Sequence, residues 1–480
     1  MERSGLKRFL RLEWLAAAAG LGLLAYLLFI APFAGVADNG DFLRVMLTGG
    51  LDYGIPDEAY EDRFFGFAHQ FFAYDHFFRG FYFSTQIILV AVARLLGYLF
   101  NSSMFDIRVL GAFYSLLLLA ATYLLVRHNK YKSLITGAVL GLALLFVFFD
   151  IGYTAYFNSL FGEPVSLVFL LLTLAFGLRL VNEEKPSRAV LWLYFISVLF
   201  LTCSKIQNAP VGILFAAIGL QFAGLQTQFS WRRLVFWLSG AMVVISVVMY
   251  IAAPKDFKDI NLYQTVFFGI LKDSPDVNGD LKALGLPEHL SVLADTNYFQ
   301  SGTAIKQDDP SLRGDFYDRV SHSDVLFFYL KHPGRLIDKM EYAANNSMSI
   351  RPYYLGTYLK ESGKPAGSLA MGYSGWSQFK NQHMPNSLLF IALFYLAYYS
   401  VGLVEYVRSS QKAVRLRIQL LMAVGLVGMV GFMVPILGDG LADLGKHLFL
   451  FNVCFDMMII VSAVWLAHLI YRFTSGKSRL

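Results

Sequence analysis

The chain has 480 residues, of which 56% are hydrophobic and only 15% are charged, and its formal net charge is +6. Its mean hydropathy of +0.52 excludes a disordered, collagen-like or coiled-coil chain, because even a soluble globular protein carries roughly 25% charged residues. Two cysteines exclude a disulfide scaffold, and the excess of Lys and Arg indicates membrane orientation rather than binding to nucleic acid. We therefore predict an all-α polytopic membrane protein.

Ten apolar runs are long enough, or nearly so, to cross a membrane, since a helix that spans about 30 Å of hydrocarbon needs about 20 residues. The predicted spans are 14–34, 107–126, 133–149, 163–181, 189–203, 209–225, 233–252, 385–405, 417–437 and 447–470. The first run follows four basic residues, as in a signal peptide. Its long core and the poor cleavage site after it favour an uncleaved helix.

An eleventh run, 83–99, is shorter and carries Arg94. If this run does not span and the N-terminus is cytoplasmic, the short inner segments hold 19 Lys and Arg, whereas the short outer loops hold only Lys205 and Lys446. If it spans, the inner count falls to 6. Because Lys and Arg concentrate on the cytoplasmic side, we predict that 83–99 is a juxtamembrane helix on the outer face and that both termini are inside.

This topology divides the chain into three parts. Residues 1–253 form an N-terminal transmembrane module with a long first outer loop, 35–106. Residues 254–384 have ordinary soluble composition with frequent prolines, which predicts a mostly helical extracytoplasmic domain. Residues 385–480 form the C-terminal transmembrane helices.

Acidic residues and amides gather at the predicted outer face, where ionisable groups beside apolar helices indicate function. Directly after the first span the chain reads Asp38-Asn39-Gly40-Asp41. Asn-Gly is typical of a turn and Asp of a helix N-cap. Two carboxylates three residues apart also supply a catalytic base and an orienting neighbour. Both interpretations fit the sequence.

Two further outer loops carry polar groups in short connections. The run from Tyr156 to Glu163 ends in a carboxylate that either complements the dipole of the next helix or points into a shared cleft. In the next loop, Lys205 precedes Gln207 and Asn208. A lysine at this depth either extends to the membrane surface or, with the two amides, binds a phosphate diester.

The last outer loop, 438–447, ends in Lys446 and His447. Cations at a helix start oppose the dipole, so this loop is either a glycine-rich turn or part of a site with an anion nearby. In the segment 254–384, Arg351 stands beside prolines and tyrosines, a composition that suits sugars, phosphates or plain packing.

Metal and nucleotide motifs are weak or absent in the sequence. The run 276–287 imitates the opening of an EF-hand loop but has Leu281 where glycine is required. No HExxH, GxSxG or Walker A sequence occurs. We expect no required cofactor, and the sequence leaves Mg or Mn open. ATP and nucleotide sugars are absent outside the membrane, so an activated donor there has to be carried by a lipid.

These features together resemble the GT-C glycosyltransferases, which are polytopic membrane enzymes that use polyprenyl-phosphate sugars. That superfamily has a cytoplasmic N-terminus, an acidic motif after helix 1 and juxtamembrane helices in the first outer loop. More narrowly, the stretches 39–44, 156–163 and 439–447 resemble the WsfD-type hexosyltransferases of bacterial S-layer and cell-wall glycan assembly. The Asp-x-x-Asp spacing departs from the Asp-x-Asp of some relatives and leaves metal use open.

The resemblance implies that Asp41 is the general base, with Asp38 as the reserve candidate. A sugar phosphate already carries a stable anionic leaving group, so one carboxylate suffices to deprotonate the acceptor hydroxyl as it inverts the anomeric carbon. The candidates for donor phosphate binding are Lys205, Gln207, Asn208, Lys446, His447 and Arg351, and those for sugar or acceptor binding are Glu163, Asn158, Tyr156 and Arg44.

The implied activity is transfer of a hexose from a polyprenyl-phosphate donor to a glycan or lipid-linked acceptor. The implied location is a bacterial plasma membrane, with the active site on its extracytoplasmic face. Two alternatives remain open. A lipid-linked glycan flippase is disfavoured by the absence of visible repeats, which transporters usually show. A glycan ligase or polymerase uses a pyrophosphate-linked donor, and the sequence alone separates it from the hexosyltransferase only through the first-loop acids.

Overall fold

The computed structural model describes residues 11–30, 32–129, 133–252 and 254–474. The helices up to residue 252 are α1 (Leu12–Phe29), α2 (Phe42–Gly49), α3 (Tyr60–Arg63), α4 (Gln86–Phe100), α5 (Arg108–Arg127), α6 (Leu134–Phe148), α7 (Ile151–Thr154), α8 (Glu163–Asn182), α9 (Arg188–Thr202), α10 (Ala209–Gln221) and α11 (Phe229–Ile251). The later helices are α12 (Lys255–Thr265), α13 (Val277–Ala283), α14 (His322–Lys331), α15 (Pro333–Asn345), α16 (Gly375–His383), α17 (Leu388–Arg408), α18 (Lys412–Gly438), α19 (Leu444–His447) and α20 (Phe449–Thr474).

The all-α polytopic membrane class is confirmed, but the number of full spans needs correction. All ten predicted runs contain helix, whereas eight helices within the described ranges are long and apolar enough to cross a membrane. The bent pair Leu134–Phe148 and Ile151–Asn158, with 53° between its parts, raises the number to nine. The helix α9 has 15 residues, or about 22 Å at 1.5 Å per residue, which is short of the hydrocarbon core.

The connections between the long helices gather at two opposite ends of the bundle. At one end, which we call the basic end, Asn182 donates to the carbonyl of His128 (2.7 Å) and Arg417 donates to Asn182 Oδ1 (2.5 Å). Lys412 Nζ there donates to the carbonyl of Gly224 (3.1 Å). The other end, which we call the polar end, carries the segments 32–107, 149–162, 203–208 and 439–448.

The helix α4 begins and ends at the polar end. The backbone N–H of Thr85, just before it, donates to the carbonyl of Cys203 (2.9 Å). At its far end it leads into the strand that precedes α5. In its middle, Arg94 donates to the carbonyls of Gly50 and Asp75, both at 2.8 Å. This geometry agrees with a helix that lies beside the bundle rather than crossing it.

The first loop also contains a small sheet that the all-α prediction does not include. Its strands are β1 (Leu51–Tyr53), β2 (Phe71–Tyr74) and β3 (Met104–Asp106), in the antiparallel order β1-β2-β3. Phe72 pairs with Phe105 in the register of the last two strands, and both rings are buried. Strands of three or four residues are too short to show an alternating pattern in the sequence.

The helix α8 lies at the centre of the bundle. Seventeen of its twenty residues are buried, so its sequence is apolar on all sides rather than on one face. In α18, Gly428 and Gly431 face α20. An added Cβ would lie 3.0 Å from the Cβ of Cys454 at the first position and 2.9 Å from the backbone nitrogen of Phe451 at the second. Small residues at such positions allow membrane helices to pack closely.

The predicted domain 254–384 contributes to two different cores. Residues 262–329 supply a hydrophobic core of their own. Several residues between 343 and 376 instead pack into the main core of the long helices. The domain boundaries stay a prediction.

A buried ion pair joins this segment to the bundle. Lys380 of α16 contacts Asp456 of α20 at 2.5 Å, and both side chains are fully buried. Trp376 Nε1 (2.7 Å) and the hydroxyl of Tyr153 (2.6 Å) also donate to Asp456. The pair is therefore surrounded by hydrogen-bond donors, as a charge in an apolar interior requires.

Candidate functional site

Asp41 lies at the start of α2, in a tight turn at the polar end. Gly40 has a positive φ of 99°, which glycine adopts without the strain of a side chain. Asn39 Oδ1 accepts a hydrogen bond from the backbone N–H of Asp41 (3.3 Å), and its amide donates to Asp443 Oδ2 (3.2 Å). The turn therefore ties the first outer loop to the last one.

Two cations hold the carboxylate of Asp41. Arg44 contacts Oδ1 at 3.0 Å, and the ammonium of Lys446 donates to Oδ2 from 405 positions away in the chain. The same ammonium contacts Asp443 Oδ2 at 2.8 Å. Lys446 is only 2% exposed, whereas the side chain of Asp41 is 26% exposed. Asp41 is therefore both fixed in place and accessible.

Asp41 and Lys446 each stabilise the charged form of the other. Burial raises the pKa of Asp41, but Lys446 and Arg44 lower it by more, so the net pKa lies well below the ordinary range. Burial lowers the pKa of Lys446, but Asp41 and Asp443 raise it by more, so its net pKa lies above the ordinary range. Asp41 is consequently negatively charged and Lys446 positively charged at neutral pH.

Glu163 and Lys205 form a second ion pair beside the first group. Glu163 begins α8, is 1% exposed, and accepts a hydrogen bond from Lys205 Nζ. Its other oxygen, Oε2, is buried without a hydrogen-bond partner in the described ranges. Glu163 also raises the pKa of Lys446, and Lys205 lowers that of Asp41. We call the six side chains of Asp41, Arg44, Glu163, Lys205, Asp443 and Lys446 the charged cluster.

His447 and Gln207 connect the third and last loops next to this cluster. His447 Nδ1 lies 3.1 Å from Gln207 Oε1, and its Nε2 lies 2.9 Å from Asp439 Oδ2. Gln207 Nε2 also donates weakly to the carbonyl of His447 (3.4 Å). The loops predicted to share the outer face therefore meet through direct side-chain contacts.

Four of the sequence-predicted site residues make no side-chain hydrogen bond or ion pair with the charged cluster in the described ranges. The amide of Asn208 donates to Ser166 and Ser204 between helices (2.9 and 2.8 Å). That of Asn158 donates to one carbonyl at the end of α1 (3.1 Å) and to one in the segment after it (2.9 Å). Arg351 is 7% exposed and donates to the carbonyl of Ala370 at 2.6 Å. Tyr156 is buried among aromatic rings.

Asp38, the reserve base, is part of the turn itself. Its Oδ1 accepts from the N–H groups of Gly40 (2.7 Å) and Phe42 (3.1 Å), and its Oδ2 accepts from the hydroxyl of Tyr53 (2.7 Å). Burial raises its pKa, which suits a base. The side chain is only 1% exposed, however, so an acceptor hydroxyl does not reach it.

We expect Asp38→Ala to destabilise the protein rather than to remove chemistry. The change leaves three donors without their acceptor, and an unsatisfied buried group costs about 1–3 kcal/mol. Thermal unfolding of the purified protein in detergent measures this loss. Asp38→Asn, which keeps an accepting oxygen, should recover part of it, and an unchanged unfolding temperature for Asp38→Ala would contradict the assignment.

Some neighbours of the cluster were missed by reading the sequence. The guanidinium of Arg44 lies over the rings of Tyr82 (5.1 Å) and Phe257 (5.3 Å), which is a cation–π arrangement. Gln86 donates to the carbonyls of residues 160 and 161 (2.6 and 2.9 Å) and so positions the segment before Glu163. The contacts of Arg44 and Gln86 join residues that are far apart in the chain, so no local pattern predicts them. The pair Asp443 and Lys446 is different, because these residues are three positions apart in one loop.

Within the described ranges, no three His, Cys, Asp or Glu side chains come together in an arrangement that could hold a metal ion. The positive charge between Asp41 and Asp443 belongs to Lys446. Independence from metal stays a prediction.

Comparison with known proteins gives one family. No curated protein matches the chain. The family model described as the YfdI N-terminal transmembrane domain matches residues 3–479, which is nearly the whole chain. The chain therefore belongs to the YfdI N-terminal transmembrane domain family.

Proposed function

We propose that this protein is an extracytoplasmic glycosyltransferase of the GT-C type that moves a hexose from a polyprenyl phosphate to a hydroxyl of a glycan. The observation that carries the proposal is the meeting of Asp41, Lys446 and Lys205 at one end of the bundle, beside a second carboxylate, Glu163. Membership in the YfdI family is consistent with a membrane protein of glycosyltransferase type. The narrower WsfD-type resemblance stays a prediction.

In the proposed reaction, Asp41 accepts the proton of the acceptor hydroxyl. The hydroxyl oxygen forms a bond to the anomeric carbon, and the bond between that carbon and the phosphate oxygen breaks. Its electron pair stays on the polyprenyl phosphate, so the sugar is transferred with inversion. A positioned general base contributes about 10²–10⁴-fold to such a rate.

The ion pairs of Asp41 bear directly on its strength as a base. A carboxylate with a lowered pKa is ionised at neutral pH, but for the same reason it is a weak base. A bound donor phosphate competes with Asp41 for Lys446 and Arg44, because charge-assisted bonds from these cations to phosphate oxygens are strong. Binding of the donor therefore raises the basicity of Asp41 at the moment when the acceptor needs it.

The cations have a second task in this proposal. As the bond to phosphate breaks, negative charge grows on the leaving oxygen, and a fixed cation there lowers the barrier. Lys446 and Lys205 are held in place by their carboxylate partners. Glu163 is as buried as Asp38, so its role in this proposal is to hold the ammonium of Lys205 in position rather than to touch the sugar.

The test uses the purified protein in liposomes with a short-chain polyprenyl phosphate that carries a tritiated hexose. We expect label to move to an oligosaccharide acceptor, and to do so in the presence of EDTA, because Lys446 supplies the positive charge between the two carboxylates. Label that crosses the bilayer while still attached to its lipid would instead identify a flippase. Transfer only from a pyrophosphate-linked donor would identify a ligase or polymerase.

A further inference from the structure

A polar cleft lies between residues 342–386 and the last outer loop, and Asp443 is one of its lining residues. Its volume is about 440 Å³, within the range of roughly 300–1,000 Å³ for small-molecule pockets. One wall comes from the end of α15 and the residues that follow it, together with Asn381 of α16 and Asn386 after it. The other wall comes from residues 441–445 of the last loop.

The chemistry of the lining differs from that of the charged cluster. Three tyrosines, Tyr342, Tyr353 and Tyr354, line the cleft together with carboxamides that include Asn345 and Asn381. Neither Lys, Arg nor His is among its lining residues. A phosphate or another anion would find no cation here, so the donor headgroup is not the ligand that this lining suits.

Neutral sugars match such a lining. A carboxamide both donates and accepts hydrogen bonds, as a pair of neighbouring sugar hydroxyls requires. An aromatic face offers apolar area that the C–H side of a sugar ring can cover. Tyr353 is 82% exposed at the cleft, so its ring is available to a ligand from the aqueous side.

Asp443 joins the cleft to the charged cluster. It lines the cleft, while its Oδ2 accepts from Asn39 and contacts Lys446. Its Oδ1 is buried without a hydrogen-bond partner in the described ranges, a state that costs free energy. Its backbone has φ of 47°, a left-handed conformation that a non-glycine residue usually adopts only where the surroundings enforce it. Asp443 is therefore a lining residue of the cleft whose carboxylate is held by the charged cluster.

We propose that this cleft binds the neutral oligosaccharide chain of the acceptor and presents one of its hydroxyls past Asp443 to Asp41. The inference rests on the proposed glycosyltransferase function. It assigns the two substrates to opposite sides of Lys446, with the anionic donor at the charged cluster and the uncharged acceptor at the tyrosine and asparagine cleft.

The test measures binding separately from transfer. The probe is a fluorescently labelled library of neutral oligosaccharides released by mild acid from the surface glycan of the source cells, with a uronic acid oligosaccharide as the anionic comparison. We expect the neutral probe to bind the wild type and also Asp41→Asn, which keeps the cleft. Tyr353→Ala and Asn381→Ala should each weaken binding by about tenfold, the size of one good aromatic or polar contact.

Matched controls distinguish the cleft from general surface effects. Tyr353→Phe keeps the ring and should bind as the wild type does. Asn278→Ala and Phe299→Ala change exposed residues of the separate core region and should not change the dissociation constant. Equal binding by wild type and Tyr353→Ala, or preference for the uronic acid probe, would overturn the proposal. Binding at the cleft without any sugar transfer by the wild type would retain the glycan site and reject the glycosyltransferase function.

Discussion

Replacement of Asp41 by asparagine is expected to lower kcat for sugar transfer by about 10²–10⁴-fold, the usual contribution of a positioned general base. Asparagine keeps the shape of the side chain and its place at the start of α2 but does not accept the proton. The measurement is the initial rate of tritiated hexose transfer by equal amounts of folded protein at saturating donor and acceptor.

A matched control for Asp41→Asn is Asp308→Asn, which removes a carboxylate that is exposed and far along the chain from the cluster. Its rate should equal that of the wild type. Undiminished transfer by Asp41→Asn would remove Asp41 from the mechanism, and Glu163 would then be the next carboxylate to test, because it is the nearest acidic partner of Lys205.

The acid limb of the rate profile should reflect the ion pairs of Asp41. The profile of kcat/KM reports ionisation of the free enzyme, in which Lys446 and Arg44 hold the pKa of Asp41 well below its ordinary range. Because a lowered pKa keeps the carboxylate ionised, kcat/KM should not fall as pH decreases from 7 to about 4, the ordinary pKa of Asp.

The long helices could be predicted from the sequence because each is a local property of about 20 consecutive residues. Hydropathy is sufficient to locate all ten runs, and the Lys and Arg of the short connections are sufficient to separate the two ends of the bundle. The predicted run 189–203 agrees with α9 to within one residue at each end, and the overestimate lay in counting 15 residues as a full span.

The pairings within the site could not be read from the sequence because they join residues far apart. Lys446 and Asp41 are 405 positions apart, and the residues around each of them do not indicate which distant residue it contacts. The same reason explains why Lys380 and Asp456 were missed. Asn208 shows the converse: its position in a polar hairpin suggested a phosphate ligand, but its side chain turns inward to two serines.

Lys446 carries the second large prediction, since it contacts both Asp41 and Asp443. Lys446→Met should lower kcat by about 10²–10³-fold through loss of the cation that faces the leaving phosphate, and it should raise KM for the donor. It should also shift the acid limb of kcat/KM upward, because burial, which raises the pKa of Asp41, is then opposed mainly by Arg44.

The same change leaves two carboxylates without their shared ammonium, so a loss of rate alone does not separate catalysis from folding. Each carboxylate is about a quarter exposed, and we therefore expect a stability loss of about 2–3 kcal/mol, below the usual cost of breaking a fully buried pair. The double variant Lys446→Met/Asp443→Asn removes one charge of each sign and should recover most of the unfolding temperature. If the ammonium acts on the reaction, the double variant stays as slow as Lys446→Met, whereas a return of kcat together with stability would reduce Lys446 to a structural role.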